Sequence, residues 1–103
     1  MFIVVLVTVP GKKVAKRIAE ELLLQRTAAC INILKDVDSL FWWQGRIDKA
    51  KEHLLVIKTR KSLFSKLKKI VERLHPYQVV EIIALPLADI NKKYRDWLKK
   101  ETS

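Results

Sequence analysis

The sequence predicts an α+β fold in which two helices cover one face of a four-stranded antiparallel sheet, with a short helix at the C-terminus. Three observations carry this. Apolar segments of strand length alternate with segments whose apolar residues recur every three to four positions. Their order along the chain is β-α-β-β-α-β, and no repeat, linker or low-complexity stretch divides the 103 residues. That order is the split β-α-β, ferredoxin-like plan, read as a single domain over residues 1–103.

Phe2 to Val9 is an unbroken apolar and β-branched run closed by Pro10-Gly11, which predicts a strand covered on both faces. Lys12 to Gln25 predicts an amphipathic helix: Val14, Ile18 and Leu22 recur every four residues beside Ala15 and Ala19, while the charged residues fall elsewhere. Cys30 to Leu34 predicts a second strand, interrupted by a polar kink at Lys35 to Ser39 and resumed from Leu40 to Trp43. Gln44-Gly45 supplies a turn with a glycine for positive φ, and Ile47 to Thr59 returns as the partner strand in a short hairpin. Leu63, Leu67, Ile70, Val71 and Leu74 predict a helix over Lys61 to Leu74, capped by Thr59 or Ser62 and ended by His75-Pro76. Glu81 to Leu87 predicts an edge strand with Pro86 near its end. Asn91 to Lys100 predicts the last helix, with Ile90, Tyr94, Trp97 and Leu98 on one side.

A sheet with helices on one face has a spare face. The first strand shows almost no polarity on either side, so that face needs a cover, and another copy of the chain is the cheapest one. The net charge of +10 favours polyanions at the surface without naming one. One cysteine excludes an intramolecular disulfide, and the apolar start is too short to span a membrane and lacks the marks of a secretory leader. The expected location is the cytoplasm, with no membrane partner. Enzyme signatures are absent: no Walker loop, no H-E-x-x-H, no G-x-S-x-G, and only Gly11 and Gly45 as glycines. The third strand, Lys51 to Lys58, has neither the glycine nor the aromatics with which RNA-recognition domains of this plan read bases, so specific nucleic-acid recognition is not expected.

The ordered set Thr8-x-Pro10, Ala28-Ala29-Cys30-Ile31-Asn32-Ile33, Ser39-Leu40-Phe41-Trp42-Trp43-Gln44-Gly45-Arg46-Ile47, Ile57-Lys58-Thr59, His75-Pro76-Tyr77, Glu81-Ile82 and Tyr94-x-x-Trp97-Leu98 covers nearly the whole chain. In this it resembles the CutA family of divalent-cation tolerance proteins. The resemblance implies a homotrimer of ferredoxin-like subunits, similar in architecture to the PII signalling proteins, that binds divalent cations, with copper favoured, and does no catalysis. Two departures stand out. His75-Pro76-Tyr77-Gln78-Val79-Val80-Glu81 replaces the family's His-Pro-Tyr-Glu-Val-Pro-Glu, and Val7 and Leu74 occupy positions where some members carry Cys and a second His.

Candidate metal ligands are therefore His75, Glu81 and Cys30. A neutral imidazole suits copper, zinc and nickel, and a soft thiolate suits Cu(I); the bland readings are a helix-end histidine and a small buried thiol. Phe41, Trp42 and Trp43 at the hairpin tip read as anchors of the trimer interface rather than as base-stacking groups. Lys58, Tyr77 and Glu81 are expected to converge beside Trp43 in a cleft for a small polar molecule, against the alternative of one ion pair and a structural tyrosine. A PII-like sensor of small molecules or partner proteins is the alternative function.

Overall fold

The structure, a computed structural model, describes all of residues 1–103. Its strands are β1 (Phe2–Val9), β2 (Cys30–Trp43), β3 (Arg46–Arg60) and β4 (Ile83–Pro86), and its helices are α1 (Lys12–Leu24), α2 (Phe64–Leu74) and α3 (Lys92–Glu101). The four strands form one antiparallel sheet in the order β2-β3-β1-β4, as the ferredoxin-like plan requires. No helix is long and apolar enough to cross a membrane.

The apolar residues of β1 divide by parity. Ile3, Val5, Val7 and Val9 are buried with Ala15, Ile18 and Leu22 of α1, Leu55 and Ile57 of β3, and Leu67, Ile70 and Val71 of α2. Phe2, Val4, Leu6 and Thr8 point to the other face and are only half covered. Strand register places Val4 beside Lys58 and Leu85, Leu6 beside Val56 and Ile83, and Thr8 beside Leu54. A largely apolar open face results, half covered and bordered at its Val4 and Lys58 end by the start of α3.

Several boundaries differ from the sequence expectation. The polar kink is a β-bulge, not an interruption: β2 is continuous, with a register shift between Leu34 and Val37 and Asp36 at φ 57°. The helix expected from Lys61 starts at Phe64, because Lys61–Leu63 tighten into a 3₁₀ turn. Neither expected cap acts: Ser62 lies inside that turn, and the Thr59 hydroxyl donates to the Thr27 carbonyl at 2.6 Å. The last strand is four residues, not seven, since it pairs only with Ile3–Leu6 of β1. Helix α1 ends in paired backbone bonds, Arg26 N–H to Leu23 and Thr27 N–H to Leu22, with Arg26 at φ 58° where glycine is commoner.

The hairpin is long rather than short. Pairing of β1 with β3 stops at His53, so Arg46–Glu52 pair with β2 alone and form an arm extending about 20 Å beyond the sheet at a strand rise of about 3.3 Å per residue. Gln44 and Gly45, at φ 50° and 83°, make the two-residue turn whose twist suits a hairpin. The bulge resets parity along the arm. Val37, Ser39, Phe41 and Trp43 fall on the side of the open face, whereas Leu40, Trp42 and Ile47 fall on the opposite side, where they are 71%, 72% and 63% exposed. Both faces of the arm thus carry apolar side chains, and near its base the segment from Tyr77 to Glu81 covers part of one.

Leu55→Ala tests the core. Leu55 is fully buried at the centre of the cluster, and the substitution is expected to cost about 2–5 kcal/mol in denaturant unfolding at fixed protein concentration. A loss below about 1 kcal/mol would mean that the site collapses around the deletion.

Candidate functional site

The residues that come together lie where the arm leaves the sheet. The C-terminal end of α2, the end of β1 and the middle of β3 meet there, and the segment from Pro76 to Glu81 crosses over them. His75 caps α2, its N–H donating to Val71 at 2.9 Å, and its side chain is buried. Nε2 lies 2.7 Å from the Thr8 carbonyl, which can only accept, so the proton is on Nε2. Nδ1 then accepts the Tyr77 N–H at 3.1 Å. Both ring nitrogens of a neutral imidazole are engaged within the chain, and a metal at Nδ1 would have to displace the Tyr77 amide.

That amide bond turns Tyr77 so that its ring lies against His75, with centroids 4.6 Å apart, and its hydroxyl donates to Glu52 Oε2 at 2.7 Å. Glu52 is 6% exposed. Burial first, then the hydrogen bond and the charge of Glu52, push the Tyr77 phenol up to about 12 from an ordinary 10.0. Around this pair opens a cleft of about 890 Å³ reaching along the arm past Phe41, Trp42 and Trp43 and walled by the segment from Tyr77 to Glu81. Four carboxylates, Asp38, Asp48, Glu52 and Glu81, border it against one ammonium, Lys49, in a chain of net charge +10. Asp38 is shared with Lys51 at 3.2 Å, and Asp48 accepts the Lys49 N–H.

Of the expected cleft residues, Trp43, Tyr77 and Glu81 meet; Lys58 does not. It lies on β3 six residues from Glu52, about 20 Å along the strand, where its ammonium bonds Asn32 Oδ1 and approaches Cys30 Sγ at 3.9 Å. There it borders a separate hollow between the open face and the start of α3, lined by Val4, Leu87, Ile90 and Tyr94. The expected ligands His75, Glu81 and Cys30 likewise do not converge, since Cys30 is level with Val4 and His75 with Thr8, about 13 Å apart along β1. No three His, Cys, Asp or Glu side chains gather with metal-holding geometry in a single chain. Val7 is fully buried and Leu74 packs on the core, so neither position offers a ligand. Sequence reasoning missed Glu52, Asp38 and Asp48. Glu52 carried a signal: an acidic residue two positions before Leu54 on the open-face parity of β3.

The Tyr77 phenol gives a pH prediction. Because its pKa is raised on folding, the stability it contributes is complete below pH 10.0 and is lost as the pH rises through about 12. Wild type should therefore lose more stability than Tyr77→Phe across that interval in denaturant titrations. Parallel curves would show that the Glu52 contact does not hold the proton.

Comparison with known proteins agrees with this architecture. Residues 3–101 match the family model described as CutA1 divalent ion tolerance protein. The chain is 48% identical over 99 residues to the Divalent-cation tolerance protein CutA of Thermus thermophilus, covering 96% of each. It is 42% identical over 96 residues to human Protein CutA, covering 93% of this chain and 54% of that one, so it spans about half the length of such relatives. A rice relative, 46% identical and 56% covered, is named chloroplastic. Among solved structures, the Thermus thermophilus protein superposes with a TM-score of 0.97 at 48% identity and full coverage of both chains. A protein from Archaeoglobus fulgidus described as a periplasmic divalent cation tolerance protein CutA gives 0.97 at 34% identity, again with full coverage. The names of the Thermus thermophilus and Archaeoglobus fulgidus proteins describe tolerance of divalent cations. A fold shared along its whole length and a family match that leaves only the termini outside it lead to one conclusion: the chain belongs to the CutA1 divalent ion tolerance family.

Proposed function

We propose that this chain acts as a cytoplasmic homotrimer that binds divalent cations, copper in particular, and supports divalent-cation tolerance by binding rather than by catalysis. The observation that carries the reading is the gathering of four carboxylates round one cleft in a chain that is otherwise strongly basic. Oxygen donors suit hard and borderline ions, and among divalent first-row ions a nitrogen and oxygen set holds Cu²⁺ most tightly. Glu81 and Glu52 are the ligands in this reading, Glu52 oriented by Tyr77. His75 takes part only by giving up the Tyr77 amide, and Cys30 belongs to the other end of the open face.

One chain supplies too few converging ligands, and assembly answers that need. The apolar open face and the two-sided apolar arm, with Phe41, Trp42 and Trp43, are the surfaces a second and third copy would cover, closing the cleft between subunits. The number three comes from the family likeness. A second reading, a sensor of small molecules, is favoured by the size of the cleft: about 890 Å³ with aromatic walls exceeds what an ion needs.

Light scattering should give about three times the 12.0 kDa chain mass, and Trp42→Glu should shift the population to smaller species. A clean monomer for wild type would remove the assembly argument. In calorimetric titration, Glu81→Gln and Glu52→Gln should each weaken copper binding about tenfold or more. Unchanged affinity in both would overturn the cation site and leave the small-molecule reading.

A further inference from the structure

The positive charge of this chain is not spread evenly. In α1, the 3₁₀ turn and α2, nine Lys or Arg face three Glu, so these two stretches hold +6 of the net +10. All nine basic side chains are exposed, since the apolar sides of both helices are spent on the core. Only Arg73 has a carboxylate within reach, Glu21 at 3.8 Å; Lys12, Lys13, Lys16, Arg17, Lys66 and Lys69 have none. The cleft is bordered by four carboxylates against one ammonium, so the field is uneven: a basic layer on α1 and α2, a further +3 on α3, and an acid-lined cleft.

We propose that the layer formed by α1 and α2 is a docking surface for the phosphate backbone of double-stranded nucleic acid, engaged without reading its sequence. Charge complementarity selects a polyanion. The layer has no Trp or Tyr, and Phe64 is turned into the core, so it lacks the stacking groups that single strands require. An anionic membrane is the poorer partner because no apolar stripe runs among the charges; the exposed Leu23 and Leu24 stand together at one end of α1, beyond Lys12–Arg17. The helices are 13 and 11 residues long. At about 1.5 Å per residue they present a face of roughly 17–20 Å, enough to meet about four to six phosphates. None of the nine basic side chains lines the cleft, so the inference stands apart from the cation-binding reading.

Fluorescence anisotropy with two labelled DNA duplexes of unrelated sequence tests it. Both should bind with affinities within about threefold, and binding should weaken about 10²–10³-fold between about 50 and 200 mM salt. The triple variant Lys16→Glu, Arg17→Glu, Lys69→Glu should lose at least about tenfold more affinity than Lys93→Glu, Lys99→Glu, Lys100→Glu on α3, which carries the same change in net charge. Circular dichroism confirms that both variants fold. Equal losses in the two variants would overturn the assignment to this face, and so would absence of duplex binding at low salt. Tighter binding to phosphatidylglycerol vesicles than to duplex at the same salt would replace nucleic acid by a lipid surface.

Discussion

The rest of the structure depends on the position of β1 inside the sheet. It pairs with β3 on one side and β4 on the other, so its backbone is satisfied on both edges while its side chains alternate between two environments. Ile3, Val5, Val7 and Val9 find a complete cover in α1 and α2. Phe2, Val4 and Leu6, as apolar as their neighbours, are covered only in part within the chain. A strand whose two faces are equally hydrophobic demands two layers, and the chain completes only one of them. Covering the rest of the open face is the role proposed above for further copies of the chain.

The hairpin arm repeats the same constraint further out. A two-stranded ribbon is marginal by itself in water, and this one has left the helices behind at His53. Its twist is set by Gln44-Gly45, and its facing is set by the bulge at Asp36, which puts Phe41 and Trp43 on the parity of the open face and Trp42 on the other, while all three border the acidic cleft. At the bulge β2 carries one residue more than its partner. Beside the cleft, His75 acts as a splice: one nitrogen fixes the end of β1, the other fixes Tyr77, and Tyr77 in turn holds the buried Glu52.

Much of this was legible in the sequence, for definite reasons. Three- to four-residue periodicity marked α1 and α2, an unbroken apolar run marked β1, and the Gln-Gly turn was explicit. The resemblance to the divalent-cation tolerance family was carried by short motifs spread across the chain, and the family match and the shared fold agree with it. What escaped was register. Whether Lys58 joins Tyr77 depends on which residues of β3 lie level with the end of α2, and no local pattern encodes that six-residue offset. A bulge reads as a polar kink until its partner strand is known. His75 looked like a ligand because the sequence shows a loop imidazole and conceals the carbonyl and amide that occupy it.

The claim at the centre of this account is that the open sheet face is covered by further copies of the chain. Cys30 reports on it directly, since its thiol lies on that face beside Lys58 and is half exposed in one subunit. The rate of thiol modification by a small aromatic disulfide, followed as the protein is diluted, is the measurement. The account predicts slow reaction at micromolar concentration that accelerates as the assembly dissociates. A rate that does not change with concentration, together with a mass of one 12.0 kDa chain, would contradict it.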